Sequence, residues 1–222
     1  FHTFVEIFTV LVGAAIAYVA LAGFERTGSR IILLVGTAFL AQAVLDTVHA
    51  LVYPGVPNPF IQSSTNRAIY MWLFARLSGA LLLLLSTTLP EKDIQPNTRT
   101  RVLLVALGAV TLLAVISTYA IKEFIDVLPA MFVPSKGLTM LKIALEDLVA
   151  VALAATGFFY LRNYLKTENQ TLLMFTIGVT VFALSEVGVM LYRDPYDSYN
   201  MLGHVFKLAA FLAFQTGLLR AK

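Results

Sequence analysis

A chain of 222 residues that is 59% hydrophobic and only 13% charged cannot coat a water-facing surface, because an ordinary soluble domain carries about 25% charged residues. The absence of cysteine excludes a disulfide framework and any thiolate metal site. The net charge of +3 is scattered over short loops and not gathered in a patch, which argues against nucleic acid as a partner and fits membrane topology signals.

Seven apolar stretches follow one another at 3–24, 31–53, 67–89, 101–121, 138–161, 171–192 and 201–220. Each matches the roughly 20 residues needed to cross ~30 Å of hydrocarbon. The expected fold is therefore all-α: a polytopic seven-transmembrane helix bundle, one domain over 1–222, with the lipid bilayer as its first partner. The first span carries His2 and Glu6 at its start and ends at Glu25-Arg26-Thr27-Gly28. The second carries Asp46 and His49 and stops at the proline-rich run Pro54-Gly55-Val56-Pro57-Asn58-Pro59. The third holds Arg76 and is closed by Pro90-Glu91-Lys92-Asp93. After the fourth, the segment 122–137, apolar but with Pro129 and Pro134, reads as a short interfacial helix on the outer surface. The fifth span holds Lys142, Glu146 and Asp147, the sixth Glu186, and the seventh His204 and Lys207, with Arg193-Asp194-Pro195 between the last two. The chain starts at Phe1 and its tail Leu218-Leu219-Arg220-Ala221-Lys222 stops abruptly, so it is expected to be excised from a longer protein.

Basic residues give the orientation. Arg26, Arg30, Lys92, Arg99, Arg101, Arg162, Lys166, Arg220 and Lys222 fall on one side, and Arg67, Lys122, Lys136 and Arg193 on the other. The positive-inside rule then places the N-terminus outside and the C-terminus in the cytoplasm. An ionisable group within a span costs a few kcal/mol and is a functional candidate by default. Arg76, Lys142, Glu146, Asp147, Glu186 and Lys207 form the expected intramembrane polar network. Arg76 is expected to oppose Asp46 or Glu186, and Lys142 to pair with Glu146 one turn away. Trp72, Tyr53, Tyr70, Tyr192, Tyr196 and Tyr199 sit near span ends and read as an interfacial aromatic belt.

The topology puts His2, Glu6, Asp46, His49 and His204 at similar depth in the outer leaflet. Glu6 is four residues from His2 and His49 three from Asp46, so each pair shares a helical face. Converging imidazoles and carboxylates suit a divalent transition metal such as zinc, copper or iron, with haem ranked behind. A hydrogen-bond network is the competing reading of the same residues. The expected metal or ligand site is His2, Glu6, Asp46, His49 and His204, with sequential helices 1 and 2 adjacent and a closed seven-helix ring returning helix 7 to helix 1.

The stretches Phe1-His2-Thr3-Phe4-Val5-Glu6, Leu45-Asp46-Thr47-Val48-His49-Ala50-Leu51-Val52-Tyr53-Pro54-Gly55 and Asn66 through Met71-Trp72-Leu73-Phe74-Ala75-Arg76 resemble MASE3. This is a bacterial and archaeal membrane-associated sensor domain found ahead of PAS, histidine-kinase and diguanylate-cyclase modules. The resemblance implies a non-enzymatic signal-input module in a prokaryotic inner or plasma membrane, with a downstream cytoplasmic signalling domain and a homodimer among the expected partners. Two rival functions fit less of the sequence. A seven-helix membrane zinc hydrolase of the ceramidase and adiponectin-receptor class would carry a His-x-x-x-His pair on its last helix, where this chain has only His204. A transporter would favour spans broken by Gly and Pro near the midplane, and the prolines here sit in loops.

Overall fold

The computed structural model describes residues 2–89, 93–190 and 198–221, apart from the side chains of His2, Thr3, Val189, Met190 and Asn200. The described residues form seven α-helices: α1 (His2–Thr27), α2 (Arg30–Leu51), α3 (Thr65–Thr88), α4 (Pro96–Glu123), α5 (Met140–Thr167), α6 (Gln170–Met190) and α7 (Ser198–Arg220). All seven are long and apolar enough to cross a membrane. Helix is the natural state for such segments, because hydrocarbon offers no partner to an unsatisfied N–H or C=O. The expected punctuation at 90–92 and 193–195, and Tyr192 and Tyr196, lie outside the described residues.

Local chemistry sets the helix ends. Ser29, Ser64 and Thr139 cap α2, α3 and α5, their hydroxyls accepting from the N–H groups of Ile32, Arg67 and Lys142, and Pro96 opens α4. The carbonyls at the end of α1 are taken up by Arg99, which donates to Glu25 O (3.0 Å), Arg26 O (2.7 Å) and Thr27 O (3.1 Å), and to Ile94 O (2.9 Å). Gly28 makes this crossing possible: its φ is +78°, and a Cβ there would stand 2.6 Å from Ile94 O. Within the spans, hydroxyls such as Thr37, Thr47 and Thr156 donate back to the carbonyl four residues earlier, which satisfies them inside their own helix.

Six helices close a ring in the order α1, α2, α3, α5, α6, α7, with α7 returning to α1. The expected seven-membered ring is thus corrected: α4 lies outside it, against α2 and α3. Only Val110, Ser117 and Ile121 of α4 are buried. The reason is compositional, since between Arg101 and Lys122 α4 carries no Asp, Glu, His, Lys or Arg that needs a seat inside. The segment 122–137 also departs from expectation. It is not an interfacial helix but a turn leading into an antiparallel hairpin of β1 (Phe132–Val133) and β2 (Gly137–Leu138). Pro129 and Pro134 lack the N–H that a helix needs, and Gly137 turns the chain with φ +81°. Asn66 at the head of α3 pins the hairpin, its Oδ1 accepting from Met131 N and Phe132 N at 2.9 Å each and its Nδ2 donating to Phe132 O at 3.1 Å. Tyr70 adds a bond from its hydroxyl to Pro129 O at 2.7 Å.

The ring interior is divided. Toward the C-terminal ends of α1, α3 and α7 it is apolar, built on Ile16, Phe24, Phe39, Leu83, Phe175, Phe182, Phe211 and Phe214. Phe39 meets the rings of Phe211 and Phe214 edge-on, with centroids 4.9 Å away in each case. Toward the opposite ends lie the buried ionisable groups, bordered by a second apolar cluster that includes Leu45, Tyr70, Trp72, Ile121 and Met131.

Candidate functional site

Side chains three and four apart share a helical face, and this places the polar residues of each helix in rows aimed at the ring interior. On α2 the row is Gln42, Asp46 and His49; on α3 it is Trp72, Arg76 and Gly79; on α5, Lys142 and Glu146; on α7, His204 and Lys207. Glu6 from α1 and Glu186 from α6 complete the set. Glu6, Gln42, Asp46, Arg76, Lys142, Glu146, Glu186 and Lys207 are each no more than 2% exposed.

Arg76 is the hub. Its Nη1 donates to Gln42 Oε1 at 2.7 Å and its Nη2 to both oxygens of Asp46 at 3.0 and 2.9 Å, while Nε lies 4.0 Å from Glu186 Oε1. The guanidinium carbon stands 5.2 Å from the Trp72 ring centroid and 5.6 Å from that of Phe182. The same indole has Lys142 Nζ 5.6 Å from its centroid, and Lys142 pairs with Glu146 one turn along α5. Trp72 is therefore shared by two buried cations, a contact that strengthens as water is excluded.

A second hub joins the first and last helices. Lys207 Nζ lies 3.0 Å from Glu6 Oε2 and 2.9 Å from Asp46 Oδ2, so one ammonium on α7 holds carboxylates of α1 and α2. His204 Nδ1 approaches Glu6 Oε1 at 3.0 Å. His49 Nδ1 faces Ala68 O on α3 at 2.7 Å; a carbonyl only accepts, so this nitrogen carries the proton. Removing one partner of a buried pair leaves an uncompensated charge and typically costs ~3–5 kcal/mol, which makes the arrangement mutually locked.

Several expectations need correcting. Asp147 is exposed and takes no seat among the inward-facing groups; it follows Glu146 by one position, and adjacent helical residues point about 100° apart. Trp72, Tyr53 and Tyr70 are buried at 7%, 9% and 7% exposure, not members of an interfacial belt, whereas Tyr199 is 49% exposed. Glu6, Asp46, His49 and His204 of the expected metal or ligand site are all buried in the ring, with His204 Nδ1 on Glu6 and His49 Nδ1 on Ala68 O. Among the described residues no group of three or more His, Asp or Glu side chains is arranged to hold a metal ion. The side chain of His2, the third histidine of the expected site, lies outside those residues. Gln42 and Gly79 also belong to the site, beyond the residues expected from the sequence. Gln42 sits four residues before Asp46 on the same face, a polar amide in an apolar span, which was the available signal. Gly79 gives Gln42 its room: a Cβ there would lie 2.5 Å from Gln42 Nε2.

The family model of MASE3, a membrane-associated sensor domain, matches residues 1–222. The chain belongs to the MASE3 family. Curated proteins and solved structures give no match. The match extends well past the N-terminal third in which the resemblance was visible, and the MASE3 stretches quoted above now have physical roles. Glu6, Asp46 and Arg76 supply buried charge, Trp72 carries two cations on its ring, His49 ties α2 to α3, and Asn66 with Tyr70 anchors the hairpin. In this MASE3 domain the elements beyond the N-terminal motifs, α5 to α7, contribute the further charges Lys142, Glu146, Glu186 and Lys207.

Proposed function

We propose that this MASE3 domain is the sensory input module of a longer prokaryotic membrane signalling protein. Its N-terminus would lie outside, and α7 would continue into a cytoplasmic output domain such as a histidine kinase or diguanylate cyclase. The observation that carries this reading is the Lys207 bridge: the last helix is held to the first two by one ammonium between Glu6 and Asp46. A stimulus that competes for those carboxylates weakens the hold on α7 and changes the position of whatever follows it. A signal of this kind requires different ligand affinity for the bridged and released arrangements. With Lys207 withdrawn from the bridge, Glu6, Asp46 and His204 would supply the oxygen and imidazole donors that a divalent transition metal such as zinc, copper or iron takes. The same carboxylates equally suit a small cationic ligand.

The bridge is tested by fusing the chain to a kinase reporter and comparing K207M with the exposed-lysine control K122M. K207M is expected to move basal output severalfold at equal expression and K122M to leave it unchanged. Output from K207M indistinguishable from the parent fusion would rule out the bridge as the coupling element. Elemental analysis of protein purified without added metal or chelator separates the ligand classes: stoichiometric zinc, copper or iron supports the metal, and its absence favours the small cation.

A further inference from the structure

Among the described residues the buried charges do not balance. With Asp147 at the surface, the ring interior holds the carboxylates of Glu6, Asp46, Glu146 and Glu186 against the cations of Arg76, Lys142 and Lys207, leaving one excess negative charge if both buried histidines are neutral. The cations are not shared evenly. Asp46 receives Arg76 and Lys207 at 2.9 Å each, Glu6 receives Lys207 and His204 at 3.0 Å each, and Glu146 is in contact with Lys142. Glu186 is 0% exposed; among the described residues its nearest cation is Arg76 Nε at 4.0 Å, and neither of its oxygens accepts a hydrogen bond. The charged groups facing it are Arg76 on α3, Lys142 and Glu146 on α5 and Lys207 on α7, each committed to a closer partner. A buried carboxylate without donors is unstable as an anion and neutralises instead.

We propose that Glu186 is a proton-binding site, occupied in the closed bundle. The proton is taken from solvent as the ring closes, forms an O–H bond on the Glu186 carboxyl and brings the interior to neutrality; it returns to solvent when the ring opens. The ligand is thus a single proton, and the site stands whatever stimulus the domain senses. It places no demand on cavity volume, which a metal or organic cation would.

The test is infrared spectroscopy of the intact chain in lipid nanodiscs in neutral buffer, reading the carbonyl stretch of a protonated carboxylic acid. That band is expected in the parent protein, lost in E186Q and retained in E146Q. Thermal unfolding supplies a second readout. The amide introduced by E186Q reproduces a neutral acid in shape and charge, so this variant should melt at or above the parent temperature, whereas E146Q strips Lys142 of its partner and should melt lower. Absence of the band from the parent protein, its survival in E186Q or its loss in E146Q would overturn the proposal. So would a melting point for E186Q as low as that of E146Q, or failure of E186Q to fold.

Discussion

At the residue scale Arg76 decides most. It is 1% exposed and spreads its donors over Gln42 and Asp46 with Glu186 behind. Arg76→Ala should destabilise the bundle by ~3–5 kcal/mol, the usual cost of stranding a buried partner. Arg76→Lys should recover only part of that, because a point charge cannot fork between an amide and a carboxylate. Unfolding midpoints in detergent measure both, and an unchanged midpoint for the alanine variant would contradict the hub assignment. Arg76 and its Asp46 or Glu186 counter-charge were legible in the sequence because a guanidinium inside a span needs an acid. What was not legible is which acid sits nearer, since that depends on the rotation of α6. Trp72 was misread for a related reason: proximity to a span end suggests a belt, and only the position of α5 reveals that its ring lies beside Lys142.

At the element scale the helices were easy to read, because blocks of apolar residues bounded by Pro, Gly and charge have few alternatives in hydrocarbon. Their lateral order was not, because apolar length says nothing about which helix stays outside the ring. The placement of α4 follows from its lack of buried charge, a criterion the sequence offered but a hydropathy reading passes over. The hairpin was not legible because Asn66 holds it from the head of α3, a contact across 66 positions. Orientation belongs to this scale as well. Phe60, 81% exposed after α2, and Thr167, exposed at the end of α5, lie on opposite sides in the proposed topology. In this cysteine-free chain, the F60C variant should react with an impermeant maleimide on intact cells and T167C only after lysis. The reverse pattern would invert the proposed orientation.

At the scale of the whole molecule, the ring holds its ionisable groups toward one end and fills the other with aromatic packing. The first and last helices meet in the polar half, where α7 is tied to both α1 and α2 through Lys207. In the proposed sensor these buried ion pairs are the contacts of α7 that a charged ligand would have to displace. The aromatic contacts of Phe211 and Phe214 with Phe39 hold α7 to α2 in the apolar half. The central claim is that Glu6 and Lys207 are energetically coupled, and a double-mutant cycle of E6Q and K207M, read by unfolding in detergent, tests it most directly. Each single variant should lose ~3–5 kcal/mol, and the double variant should fall short of their sum by ~0.5–3 kcal/mol. Strict additivity of the two losses would contradict the bridge that joins α7 to the rest of the ring.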